Sequence, residues 1–160
     1  MTHPWWLVAI DVAFVVGASI AIGSLAPHWP QRWLEHDPWP LHLLPWETPL
    51  FYQRLGIRHL ARRLPELGTV FGGQSKARLP GSGRAELTAY LREVRRGEWV
   101  HWLSTFASVV LFVFNPWWLA LAFVVAVAAG NTPFILILRN NRIRIRRIIG
   151  GQKEGRHRHS

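Results

Sequence analysis

An all-α integral membrane fold is what the sequence predicts, and three observations lead to it. Nearly half of the 160 residues are apolar, and ten are tryptophan. All nineteen Lys and Arg residues fall between Arg32 and Arg96 or between Arg139 and Arg158, so residues 1–31 and 97–138 carry no Lys or Arg. The charge-free stretches are long enough to cross a hydrocarbon core, which takes roughly 20 residues of helix. Nucleic acid is a poor partner for the net charge of +10, because the aromatic residues do not alternate with the basic ones in any binding motif. With no cysteine there is neither a disulfide framework nor a thiolate metal site.

Three transmembrane helices are expected. The first spans 5–26; no Lys or Arg precedes it as a cleaved leader requires, although Ser24-Leu25-Ala26 resembles a cleavage site. The second belongs to a helix over 84–114, whose amphipathic start is marked by Leu87, Tyr90, Leu91 and Val94. Asn115-Pro116 makes the turn, since proline has no N–H to continue a helix. The third is 117–138, with a break expected near 130–133, where Gly130-Asn131-Thr132-Pro133 interrupts the apolar run. Residues 139–160 read as a basic cytoplasmic tail. With the N-terminus outside, the central loop and the tail both lie inside, as the positive-inside rule requires.

Residues 27–83 read as an interfacial segment on the cytoplasmic side. Its first part interleaves Trp29, Trp33, Trp39 and Trp46 with Pro27, Pro30, Pro38, Pro40 and Pro45, which suits a headgroup-level belt and no long helix. Thr48 caps a helix with Pro49 at its first position. Leu50, Ile57, Leu60 and Leu64 then share one face, with Arg54, Arg58, Arg62 and Arg63 on or beside the other. That pattern fits an amphipathic helix lying on the membrane, or one packed against the protein's own core. Residues 72–83, rich in Gly and Ser, read as a flexible loop.

Polar residues gather at one end of the hairpin. His101 lies about as far before the Asn115-Pro116 turn as Asn131 lies after it, so straight arms bring the two to one depth, where polar groups are costly unless they act. Glu98 and His101 share a helix face at a spacing of three. The carboxylate is therefore expected to orient the imidazole as a general base, with Asn131 donating to a developing oxyanion. Arg139, Asn141, Arg142 and Arg144, with Arg96 and Thr132, are expected to line a cytoplasmic mouth that binds phosphate or carboxylate groups. Glu98-x-x-His101 also suits a carboxylate-bridged metal site, but that needs further Glu or His ligands from other helices, and only Asp11 and the loop histidines are at hand. Asp11 itself is expected to reach water outside.

The run Arg95–Trp102, the Asn-Pro turn, Asn131-x-Pro133 and Arg139-x-Asn141-Arg142-x-Arg144 resemble the glycosyl-4,4'-diaponeurosporenoate acyltransferase family, as do Trp46-Glu47, Phe51-Tyr52, Gly56-Ile57-Arg58 and Leu64-Pro65-Glu66-Leu67-Gly68. The similarity runs over about residues 46–147. It implies a small multi-pass protein of the bacterial cell membrane that transfers a fatty acyl group to a sugar hydroxyl of a glycosylated carotenoid acid. Departures at Leu60-Ala61, Leu138 and Asn140 make glycolipid acylation the broader expectation and a carotenoid acceptor the narrower one. The expected co-substrate is acyl-CoA or an acyl carrier protein, with no resident cofactor or metal; the acceptor is a membrane lipid or glycosylated isoprenoid. Two other classes stay open. One is a non-catalytic lipid-binding subunit; the other is an intramembrane methyltransferase or reductase.

Overall fold

In a computed structural model of the chain, residues 5–63 and 83–157 are described, with side chains through Gly151. They contain five α-helices and no strand: α1 (Trp5–Leu25), α2 (Pro49–Arg54), α3 (Ile57–Arg63), α4 (Arg84–Ser108) and α5 (Trp117–His157). Short 3-10 turns at Ala26–His28 and Gln31–Leu34 punctuate the loop after α1, and another at Val109–Val113 ends α4.

The segments Trp5–His28 and Trp117–Gly151 are long and apolar enough to cross a membrane. The expected middle span does not pass the same test. α4 carries charged residues through its first half, and its apolar end tightens into the 3-10 turn after Ser108. α1 is apolar on every side, with Trp5, Ile10, Val12, Val16 and Ile20 exposed, and the hairpin tip exposes Val113, Phe114 and Trp117. Exposed apolar area on this scale marks a surface that meets something other than water.

α4 and α5 pack along their length as an antiparallel hairpin, and α1 lies against α4. Asn115, at the hairpin turn, donates from Nδ2 to Asp11 Oδ1 at 3.0 Å. Asp11 is buried rather than open to water. Between α4 and α5, Leu87, Tyr90, Leu91 and Val94 meet Leu138 and Ile145 in one apolar cluster. Gly97 packs against α5: a Cβ there would sit 3.4 Å from both Leu138 methyl carbons, leaving no room for a larger side chain.

α5 is where the sequence reading is corrected most. It does not break near 130–133, nor does a separate tail begin at 139; one helix of 41 residues runs through Pro133 to His157. At 1.5 Å per residue it is about 60 Å long, roughly twice a hydrocarbon core. The turn preceding the proline is held by side chains, with Asn131 Nδ2 donating to the Val127 carbonyl at 3.0 Å and Thr132 Oγ1 to the Ala128 carbonyl at 2.7 Å. The carbonyl that Pro133 leaves without an N–H donor is that of Ala129, one residue further on, so packing of α5 against α4 on both sides of the proline is what keeps the helix continuous. Continuation past Leu138 places Leu138, Arg142, Ile145 and Ile149 on one stripe, and this stripe faces α4.

The segment expected to form one amphipathic helix is divided. Thr48 caps α2 by accepting from the Phe51 N–H at 3.2 Å, and Gly56, at φ 64°, separates α2 from α3. Tyr52 and Ile57 pack with Ile137 and Ile143 of α5, joined by Leu60 and Phe51. Of the two arrangements expected, α3 takes packing on the protein's own core. Leu64 and residues 72–82 of the expected flexible loop lie outside the described residues.

Gly97→Val is expected to force Leu138 aside. Overpacking of this kind costs about 1–3 kcal/mol, and the thermal unfolding midpoint of the detergent-solubilised protein should fall below that of the wild type.

Candidate functional site

The loop from Glu35 to Glu47 has no regular structure, yet Pro40, Leu41 and Glu47 in it are buried, as is Leu34 just before it. Their backbone polar groups need partners, and arginines from the helices supply them. Arg95 Nη1 donates to the Leu34 carbonyl at 2.9 Å. Arg139 Nη2 donates to the carbonyls of Pro40 and His42 at 2.6 and 3.2 Å, and Arg142 Nη2 to that of Leu41. The Trp39–Pro40 peptide in this loop is cis.

The same arginines pair with three carboxylates in an alternating chain. Arg139 Nε donates to Glu98 Oε1 at 2.8 Å, and its Nη1 to both oxygens of Glu47 at 2.9 Å. Arg142 Nη1 stands 3.2 Å from Glu98 Oε2 and 3.5 Å from Asp37 Oδ1, close enough to attract but without hydrogen-bond alignment to Glu98. Asp37 also accepts from Arg95 Nε at 2.6 Å and from Arg146. Glu98 and Arg142 have no measurable exposure. Trp102, one turn after Glu98, brings its buried indole N–H near the same carboxylate without forming a well-aligned bond.

Glu47 is the loop's contribution. It accepts from the Tyr52 hydroxyl at 2.5 Å and from the Leu44 N–H at 2.6 Å. Burial opposes its ionisation, but the bonds from Tyr52, Leu44 and Arg139 outweigh that and hold its carboxyl below the usual value of 4.5. Burial, reinforced by the Glu47 charge, pushes the Tyr52 hydroxyl up, so it stays a donor.

His101 lies three residues past Glu98, about 4.5 Å further along α4. Its Nδ1 is 2.8 Å from Asn131 Oδ1, across the hairpin. The Asn131 orientation follows from its other bonds: Nδ2 reaches the Val127 carbonyl, which only accepts, and Thr105 Oγ1 at 3.2 Å. The carboxamide oxygen therefore faces the ring, and Nδ1 carries the proton. Nε2 is then the basic nitrogen of the neutral ring. Phe134 stacks on the imidazole with centroids 4.9 Å apart and planes at 11°. His101, Thr105, Asn131 and Phe134 are all partly exposed.

Two expected roles are corrected by this geometry. Asn131, not Glu98, is the partner of His101 Nδ1; Glu98 turns to Arg139 and Arg142, because an opposite charge attracts a buried carboxylate more strongly than a neutral ring does. Asn131 does not present an oxyanion donor, since its N–H2 is committed to Thr105 and Val127. The expected basic mouth is not assembled either. Arg139 and Arg142 are buried and point inward, while Arg144 is exposed on another side of α5 and Asn141 is half-buried. Arg96 pairs with Glu93 one turn earlier on α4. Thr132 is exposed, with its hydroxyl bonded to its own helix. Among the described residues no three His, Asp or Glu side chains converge as metal ligands.

A family model described as glycosyl-4,4'-diaponeurosporenoate acyltransferase matches residues 30–151. The chain belongs to this family. The match takes in the loop, α2–α4 and α5 through Gly151, hence every residue of the ion chain and the His101–Asn131 pair, while α1 lies outside it. No curated protein and no solved structure gives a significant match. Asp37, Glu47, Tyr52, Arg95 and Thr105 were missed as parts of this assembly. Glu47 and Tyr52 stand inside the Trp46-Glu47 and Phe51-Tyr52 motifs, and Thr105 follows His101 by one turn, so the signal was present for these three.

Removing one member of a buried ion pair leaves the other uncompensated, at a cost of about 3–5 kcal/mol. Arg139→Met should therefore lower the yield of folded, monodisperse protein in detergent, and Arg139→Lys should restore little of it, because one ammonium cannot replace a fork that serves two carboxylates and two carbonyls. The depressed Glu47 carboxyl stabilises the fold above its ordinary value of 4.5, and this contribution is lost as pH falls through the lower folded-state value. The difference in unfolding midpoint between wild type and Glu47→Gln should accordingly be largest near neutral pH and shrink on acidification below 4.5.

Proposed function

We propose that the chain is a membrane acyltransferase that moves a fatty acyl group from a thioester to a sugar hydroxyl of a glycolipid at the cytoplasmic interface, a glycosylated carotenoid acid being the acceptor suggested by the family. The observation that carries this reading is the His101–Asn131 pair. An imidazole with a fixed tautomer lies just beyond the buried charges and just inside the apolar half of the hairpin.

α1 and α5 span the membrane, and the apolar end of α4, extended by the 3-10 turn, follows α5 back across it as a third pass. The N-terminus and the Asn115-Pro116 turn lie outside, and both basic blocks lie inside. Counting about 30 Å of helix from Trp117 brings the inner hydrocarbon edge close to Leu138. His101 and Asn131 then lie about 10 Å inside that edge, so the acceptor's sugar must dip below the headgroups along the hairpin to bring its hydroxyl to the ring, while its chain lies in the bilayer.

In the reaction, Nε2 of neutral His101 takes the proton from the sugar hydroxyl as its oxygen attacks the thioester carbonyl. The tetrahedral intermediate collapses with cleavage of the C–S bond, and the imidazolium returns the proton to the departing thiolate. The products are an ester and a free thiol, with no redox change. Asn131 is a positioning residue: it accepts from Nδ1–H and, with Phe134, fixes the ring plane.

Expression of wild type and His101→Ala in cells supplied with the glycosylated acceptor, followed by mass spectrometry of lipid extracts, tests the assignment. A species heavier by one fatty acyl group should accumulate with the wild type and be absent with His101→Ala, although both proteins reach the membrane fraction. Asn131→Ala should lower kcat by about 10²-fold, within the range of a general-base contribution, and affect acceptor KM less. Equal product from His101→Ala would remove the histidine from the chemistry.

A further inference from the structure

The arginines of this protein serve two different environments. Arg95, Arg139, Arg142 and Arg146 pair with Asp37, Glu47 or Glu98. Arg54, Arg58, Arg62 and Arg63, at the end of α2 and along α3, are all exposed. Among the described residues no carboxylate forms an ion pair with any of these four; Arg62 bonds the ring of His59 on its own helix. The inner side of α3, Ile57 and Leu60, packs on Ile137 and Ile143 of α5. The outer side is therefore cationic.

We infer that this outer face of α2 and α3 is the docking surface for an acidic carrier protein that presents the acyl thioester, so that the donor arrives attached to a protein. The inference rests on the proposed acyl transfer and names its donor class. Charge complementarity carries it: guanidinium groups on a short helix, held in place by a packed apolar side, match carboxylates on a partner surface and steer its approach. An interfacial helix that binds lipid needs an apolar face to bury among the acyl chains; α3 packs its own on α5, and the exposed leucines nearby, Leu50 and Leu55, lie in α2 and the turn after it rather than along α3. Anchoring to the bilayer is supplied by α1 and α5. The position also fits delivery. α3 packs on α5 around residues 137–143, some nine residues beyond Asn131 and thus about 14 Å along the helix from His101. A carrier docked there would extend its thioester on a flexible arm down to the imidazole.

The test uses the full chain in nanodiscs of neutral phosphatidylcholine, with an acylated acyl carrier protein as the probe. Binding is read by fluorescence anisotropy of labelled carrier over a range of salt concentrations. Wild type should bind, more weakly as salt rises, and Arg54→Glu/Arg58→Glu should weaken binding at least tenfold. Arg54→Gln/Arg58→Gln should fall between, which guards against a folding defect in the charge-reversed variant. His101→Ala should bind the carrier as wild type does, so a failure of the catalytic assignment is seen separately in the loss or survival of transfer. Absence of carrier binding by the wild type, or equal binding by the charge-reversed variant, would overturn the inference. So would unchanged carrier binding accompanied by loss of affinity for vesicles containing anionic phosphatidylglycerol, which would assign the arginines to lipid headgroups.

Discussion

The chain of buried charges Asp37–Arg142–Glu98–Arg139–Glu47 is the interaction on which the rest of the structure depends. Each carboxylate has a guanidinium on at least one side, and two of the arginines extend beyond the carboxylates to backbone carbonyls of an irregular loop. Ions this deeply buried are costly to desolvate, and only multiple, well-placed partners offset that cost. The consequence is a defined register. Glu98–Arg139, Gly97–Leu138 and His101–Asn131 are successive ties across the same hairpin. A slip of α5 by one residue would rotate Arg139 by about 100° and break the first tie, and the third would be lost with it. The ionic chain is thus what holds the imidazole and the carboxamide at one level.

What the sequence made legible follows from local chemistry. Segregation of charge from apolarity marked the two long apolar helices, and Asn115-Pro116 marked the turn between α4 and α5. Thr48-Pro49 marked the start of α2. The depth match of His101 and Asn131 needed only equal arm lengths, and the two side chains do meet. These readings rest on composition, on residue spacing or on a single residue's backbone limits, and all three are written in the sequence directly.

The readings that went astray needed knowledge of tertiary partners. Pro133 removes one donor, but whether a helix ends there depends on whether packing on both flanks outweighs that loss, and the contact of α5 with α4 does so. That one outcome redirected the arginines: a chain that stopped at 138 would leave Arg139 and Arg142 on a disordered mouth, whereas a continuous helix turns them into the core. Glu98 then had a choice between a neutral ring one turn away and two cations across the hairpin, and the cations won. The Trp- and Pro-rich loop carries no periodicity, so nothing in it announced that its carbonyls and Glu47 would be gripped by α5.

Use of Asn131 rather than an acid beside His101 has a physical logic in the proposed reaction. A carboxylate next to the ring would favour the imidazolium, and in the apolar half of the hairpin it would bring a charge that needs its own partners. The acids of this region are instead held about one turn away, where arginines neutralise them. A carboxamide fixes the tautomer through one oxygen and satisfies its own N–H2 on Thr105 and the Val127 carbonyl, so orientation is achieved without any net charge. In the proposed reaction the ring starts neutral and becomes charged only on taking the proton, close to the developing negative charge that the same step creates. On the proposed orientation and reaction, the buried ions one turn nearer the cytoplasm hold the hairpin, and the His101–Asn131 pair one turn further into the apolar half is left to move the proton.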